Sequence, residues 1–198
     1  MELTWFRRPA ADRPGTLNLC YNAVDCQVVR GRAEQPAVRT GDREVDFAGL
    51  LEHVAVLAGA MRGMGVEVGS LVAVALEDPY DRLVSWLAAL RLGAVVSTGS
   101  STELALAVVD RRGIDSAVRI HRGLPVEDET CEVAWDLAYR AGRTDPAPCA
   151  AVPGGAPAYL LEGGAVATQD ALGDESWLGQ ALATLAAGRP LDLTGERA

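Results

Sequence analysis

The sequence predicts an α/β protein in which parallel strands are joined by helical crossovers. Three observations predict it. Leu71–Leu76 is an unbroken apolar run suited to a strand buried on both faces, and Ala94–Ser97 is a second, shorter one. Between them lies a helical pattern that opens on Asp78-Pro79, aspartate at the cap and proline in the first turn, and closes on Gly93. Ser116–Ile120 supplies a third strand, so strands and helices alternate with glycine at the turns.

Taken in order, residues 1–15 combine arginines with prolines and a glycine and read as an arm over the surface. Over 16–30, Leu17, Tyr21, Val24 and Val28 recur at helical spacing, and Cys20 is expected on a buried helix face. Asp46 caps a helix whose Phe47, Leu50, Leu51, Val54, Leu57, Ala58 and Met61 form one apolar stripe, ended by Gly63 and Gly65. In the helix after Asp78, Leu83, Trp86, Leu87 and Leu90 repeat the pattern. Thr102–Arg112 is expected to be a third amphipathic helix, closed by Gly113.

Beyond residue 121 the rhythm loosens. Glu127-Asp128-Glu129 is an acidic loop, Cys131–Tyr139 a short helix, and 142–157 a connector rich in proline, glycine and alanine. Tyr159-Leu160-Leu161 reads as a strand, and Ser176–Ala187 as a final helix stopped by Gly188 and Pro190. The expected organisation is an arm at 1–15 and one α/β unit over 16–198, with a sub-boundary near 142–157.

The net charge of −9 argues against holding a nucleic-acid backbone or an anionic membrane by bulk electrostatics. Local arginine clusters can still hold a phosphate. All 18 basic side chains are arginine; the chain has no lysine. Cys20, Cys26, Cys131 and Cys149 show neither CxxC spacing nor a histidine cluster, so no metal site is expected and they read as reduced thiols of a cytoplasmic protein. No signal-peptide pattern is seen, and no apolar run reaches the roughly 18 residues of a membrane span.

Thr16-Leu17-Asn18-Leu19-Cys20-Tyr21-Asn22-Ala23-Val24-Asp25, preceded by Trp5-Phe6, resembles the opening of the AMP-forming acetyl- and propionyl-CoA synthetases. The helix Phe47–Met61, the turn Gly63–Ser70, the strand 71–76 and the segment Leu87–Val95 follow that family's order, so the resemblance covers residues 5–120 and is looser beyond. It implies the fold of the N-terminal portion of an AMP-binding acyl-CoA synthetase. It also implies a chemistry that uses lysine, and the chain has none.

In that family a strand leads into a loop of serine, threonine and glycine followed by Pro-Lys-Gly, whose backbone N–H groups and lysine hold the ATP phosphates. Here the matching strand, Tyr159-Leu160-Leu161, is followed by Glu162-Gly163-Gly164-Ala165-Val166-Ala167-Thr168, as though the loop were deleted. ATP binding by that route is therefore not expected, nor is enzymatic activity from the chain alone. Where the family has Phe-Gly-Gly-Phe-Ser near its CoA, this chain has Thr98-Gly99-Ser100-Ser101. Arg119 and Arg122 lie where the family presents arginine to CoA phosphates, with Arg122-Gly123 the counterpart.

The resemblance thus implies Ser100, Ser101 and Arg122 as candidate residues for CoA or an adenine nucleotide, with no catalytic or metal residue. A plainer reading has Ser101 capping a helix and Gly99 making its turn. Asp110-Arg111-Arg112 is either a solvated helix end or a pair of cations for an acidic partner. Neither His53 nor His121 sits in a catalytic motif, although His121 follows a strand and could reach a cleft. Trp86 reads as core, and Trp177 as an exposed side chain available to a partner.

Three functions follow. The chain is an inactive relative that acts by binding a protein partner or another copy of itself, a module that binds CoA or a nucleotide, or one subunit of a split acyl-CoA ligase.

Overall fold

The computed structural model describes residues 3–41, 43–97 and 103–195. The chain runs through β1 (Trp5–Arg7), β2 (Thr16–Leu17), a helical segment containing a wide turn at Tyr21–Asp25 and α1 (Cys26–Val29), β3 (Pro36–Arg39), β4 (Glu44–Asp46) and α2 (Phe47–Gly63). It continues with β5 (Leu71–Ala75), α3 (Pro79–Arg91), β6 (Val95–Ser97), β7 (Leu106–Val109), β8 (Val118–His121), β9 (Glu132–Ala134) and α4 (Trp135–Thr144). The last elements are β10 (Val152–Pro153), β11 (Pro157–Leu161), β12 (Gly164–Ala167), α5 (Trp177–Ala186) and β13 (Leu191–Asp192).

Seven strands form the central sheet in the order β12-β11-β6-β5-β7-β8-β9. Every neighbouring pair is parallel except β11–β12. The α/β class and the β5-α3-β6 crossover are as the sequence predicts. The helix signals are realised as hydrogen bonds: Asp46 accepts from Gly49 N–H at 2.7 Å, Asp78 from Asp81 N–H at 2.8 Å, and Ser176 from Gly179 N–H at 3.2 Å.

Three sequence expectations are corrected. Thr16–Leu17 is a strand paired with β1 and β10, and the helix begins only at Leu19. The third helix does not form. Leu106–Val109 is instead β7, wedged between β5 and β8 with all four residues buried. A short apolar run does not separate strand from helix by periodicity; paired valines and a slot buried on both faces favour the strand. Within the stretch expected as one helix, Glu132–Ala134 is strand β9, and helix α4 starts only at Trp135.

Registry sorts the sheet into two faces. Val72, Val96, Leu106, Val108, Ile120 and Tyr159 point into the main core, under α2, α3 and α4. Ala73, Ala107 and Val109 lie on the far face, where they form a second, small apolar cluster with Leu104. Arg119, His121 and Glu132 share that far face, because Ala107 pairs with Arg119 and Arg119 with Glu132.

The segment 16–25 locks onto the end of α3. Asn18 Nδ2 donates to the carbonyls of Leu90, Arg91 and Ala150 at 3.1, 3.0 and 2.9 Å. Asp25 pairs with the buried Arg91 guanidinium at 2.8 Å, and Arg91 Nε donates to Ala147 O at 2.6 Å.

Candidate functional site

In a parallel sheet, ligands bind beyond the carboxyl ends of the strands, where successive connections leave in opposite directions. β5 is that point here, since β6 lies on one side of it and β7 on the other. The chain leaves β6 at Ser97. Ser100 and Ser101 lie outside the described residues.

Arg122 lies at this edge, directly after β8. Its Nε is 2.7 Å from Asp81 Oδ2 at the start of α3, and its guanidinium sits 5.1 Å from the Trp135 ring centre. The side chain is 44% exposed, so an incoming anion would meet it but compete with Asp81 for it. His53 is accounted for: Nδ1 is 2.6 Å from the Tyr80 hydroxyl, and burial lowers the ring's pKa below its ordinary value.

The strand pair at the other end of the sheet is joined by a tight turn. β11 and β12 are antiparallel, with Leu161 opposite Gly164, so only Glu162 and Gly163 lie between them. A two-residue turn offers no row of N–H groups to wrap a triphosphate, and it places a carboxylate there instead.

Sequence reasoning did not assemble a cluster on the far face. His121 is buried, its side chain 1% exposed, and neither ring nitrogen has a hydrogen-bond partner. Its Nε2 lies 3.5 Å from Glu132 Oε1, which also faces Arg119 at 3.5 Å and Arg112 at 3.7 Å. The second Glu132 oxygen accepts from the N–H of Glu127 at 2.7 Å and of Asp128 at 3.3 Å. Those backbone donors lower the Glu132 pKa, while burial lowers that of His121, so at neutral pH the pair is carboxylate and neutral imidazole. His121, Glu132 and the arginines line a cavity of about 330 Å³. The spacing Arg119-x-His121 was a legible signal, since alternate residues of a strand share a face. Glu132 was not legible, because its segment reads as helix.

Cys20, Asp25 and Cys149 converge in a way that resembles metal ligands. Arg91 already supplies the positive charge there, 2.8 Å from Asp25 and 3.6 Å from Cys20 Sγ. Trp177, expected to be exposed, is half-buried with its ring 5.2 Å from that of Trp86.

No protein-family model matches the chain. Among curated proteins it is 33% identical over 156 residues to the acetyl-coenzyme A synthetase of Streptomyces coelicolor, covering 67% of this chain and 23% of that enzyme. It is 36% identical over 88 residues to acetyl-coenzyme A synthetase 1 of Candida albicans, covering 42% of this chain and 13% of that enzyme. Among solved structures, coronafacic acid ligase from Pectobacterium brasiliense superposes with a TM-score of 0.71 at 12% identity, over 91% of this chain and 46% of that one. Anthranilate CoA ligase AuaEII, solved with anthranoyl-AMP, gives 0.62 at 16% identity, over 82% of this chain and 37% of that one.

The chain is a partial relative of the adenylate-forming acyl-CoA synthetases. It spans about a quarter or less of the length of the acetyl-CoA synthetases named above. In this synthetase relative, Asn18 and Asp25 bind segment 16–25 to α3. No helix among the described residues is long and apolar enough to cross a membrane.

Proposed function

We propose that this synthetase relative does not adenylate a carboxylic acid on its own and acts by binding, with a protein partner or a second copy of itself as its target. The reading is carried by the two-residue turn at Glu162-Gly163. The absence of lysine from the chain adds to it, since the family's reaction uses lysine to offset charge on the phosphates. The test incubates the purified chain with ATP, magnesium, CoA and acetate or propionate and follows AMP and pyrophosphate. No acyl-dependent release is expected. Turnover that depends on the acid would sink the proposal. Acyl-dependent AMP formation only on mixing with a second polypeptide would replace it with the split-ligase reading.

One observation favours a second reading, a module for CoA or an adenine nucleotide. Arg122, the residue that the resemblance assigns to CoA, is half-exposed at the ligand-binding edge and braced by Trp135 and Asp81. A ligand that binds only the native state raises its stability by about 2.7 kcal/mol at a hundred times its Kd. Thermal melting with CoA, acetyl-CoA, ATP and AMP therefore separates the readings. A rise with CoA that Arg122→Ala abolishes supports the module, and no rise with any of them leaves the protein partner.

A further inference from the structure

We propose that the far-face cavity beside β8 binds a small molecule bearing a carboxylate or phosphate group, with the anion held by Arg111 and an adjoining polar group by the ring of His121. The site is independent of the Arg122 edge. His121 and Arg122 are consecutive, and Arg122 turns to the α3–α4 side while His121 faces the opposite side of the sheet.

The cavity, about 330 Å³, falls at the lower end of the range that small ligands occupy. Its floor holds a histidine whose two buried nitrogens make no hydrogen bond, Nε2 lying 3.5 Å from Glu132 Oε1 and Nδ1 facing no charged partner among the described residues. Buried polar atoms are nearly always satisfied, and an exception inside a cavity marks where a ligand atom belongs. Neutral imidazole offers one donor and one acceptor, so it suits a hydroxyl or a protonated acid oxygen.

The charges select the sign of the ligand. Glu132 is already faced by Arg119 and Arg112, Asp115 lies 3.7 Å from Arg119, and Glu127 is 2.9 Å from Arg112. The acidic groups are thus answered within the wall. Arg111, exposed at the rim, has no ion-pair partner among the described residues. A cation entering would meet three guanidinium groups, whereas an anion finds one free to form a two-pronged hydrogen bond.

The chain has only two histidines, so ¹⁵N NMR of the imidazole rings tests the proposal directly. Inorganic phosphate and, separately, acetate are titrated into the whole chain at millimolar concentration. The His121 resonances are expected to move and saturate while those of His53, bonded to Tyr80, stay still. Arg111→Ala, at an exposed position that leaves folding intact, is expected to weaken the effect about tenfold, the loss of one charge-assisted contact. Arg140→Ala on the exposed side of α4 is the charge-matched control and is expected to change nothing. Saturation with phosphate alone assigns a phosphoryl ligand, and with acetate alone a carboxylate. A His121 ring that responds to neither, or equally in Arg111→Ala, overturns the proposal.

Discussion

Asp25 belongs to the stretch by which the chain resembles acyl-CoA synthetases, and its side chain is engaged inside the fold. It neutralises Arg91, whose side chain is 7% exposed. Removing one partner of a buried ion pair leaves an uncompensated charge, which costs about 3–5 kcal/mol. Asp25→Ala is therefore expected to lower the unfolding free energy by that amount, read as a lower urea midpoint with the slope unchanged, and a shift within error would show that Arg91 finds another partner. The histidines set a pH dependence. Burial holds both below the ordinary 6.5, so as pH falls below that value the unfolded chain takes up protons that the folded chain resists. Stability is expected to be flat between about pH 7 and 8 and to fall as pH drops below that window, before the lowered carboxylates, Glu132 and Asp174 among them, contribute a further loss below their ordinary 4.5 and 3.8. Equal urea midpoints at pH 7.5 and about 5.5 would contradict this.

At the scale of elements, α2 and α4 meet through glycine. A Cβ on Gly142 would stand 1.9 Å from Val56 O, and one on Gly59 2.3 Å from Asp145 O. The helices can approach this closely only because neither residue has a side chain. Gly142→Ala is expected to destabilise by about 1–3 kcal/mol through backbone displacement, outweighing alanine's better helix propensity. An unchanged melting temperature would mean that α4 shifts freely. Elements with a cap, an amphipathic stripe and a terminal glycine were legible in the sequence: α2, α3 and α5 all lie within a residue or two of their signals. β7 was not, because Leu104–Val109 satisfies a helix stripe and a buried strand equally and only its neighbours β5 and β8 decide. The same ambiguity hid the far-face cluster. Arg119 and His121 could be placed on one strand, but Glu132 joins them only if its own segment is a strand, and the helix signal of Trp135–Tyr139 spread back over it.

For the whole molecule, the net charge of −9 and the exposure of Phe6, Val29, Val68 and Leu137, the large apolar side chains exposed among the described residues, bear on how it would associate. They are few, so a homo-oligomer has to be built around polar contacts as much as apolar ones. Sedimentation velocity across about a hundredfold concentration range is expected to give a mass that grows with concentration. A constant monomer would direct the binding proposal to a different polypeptide.

The turn at Glu162-Gly163 also bears on how the chain folds. Pairing β11 with β6 must bring Tyr159 to Val96 across a long stretch of chain, a closure that costs entropy before any contact forms. Pairing β11 with β12 needs only two residues to reverse direction, and isolated hairpins close in about 1–10 μs. This hairpin is the most local strand pairing in the central sheet, ready to assemble early and to present β11 already backed by a partner when the rest of the sheet arrives.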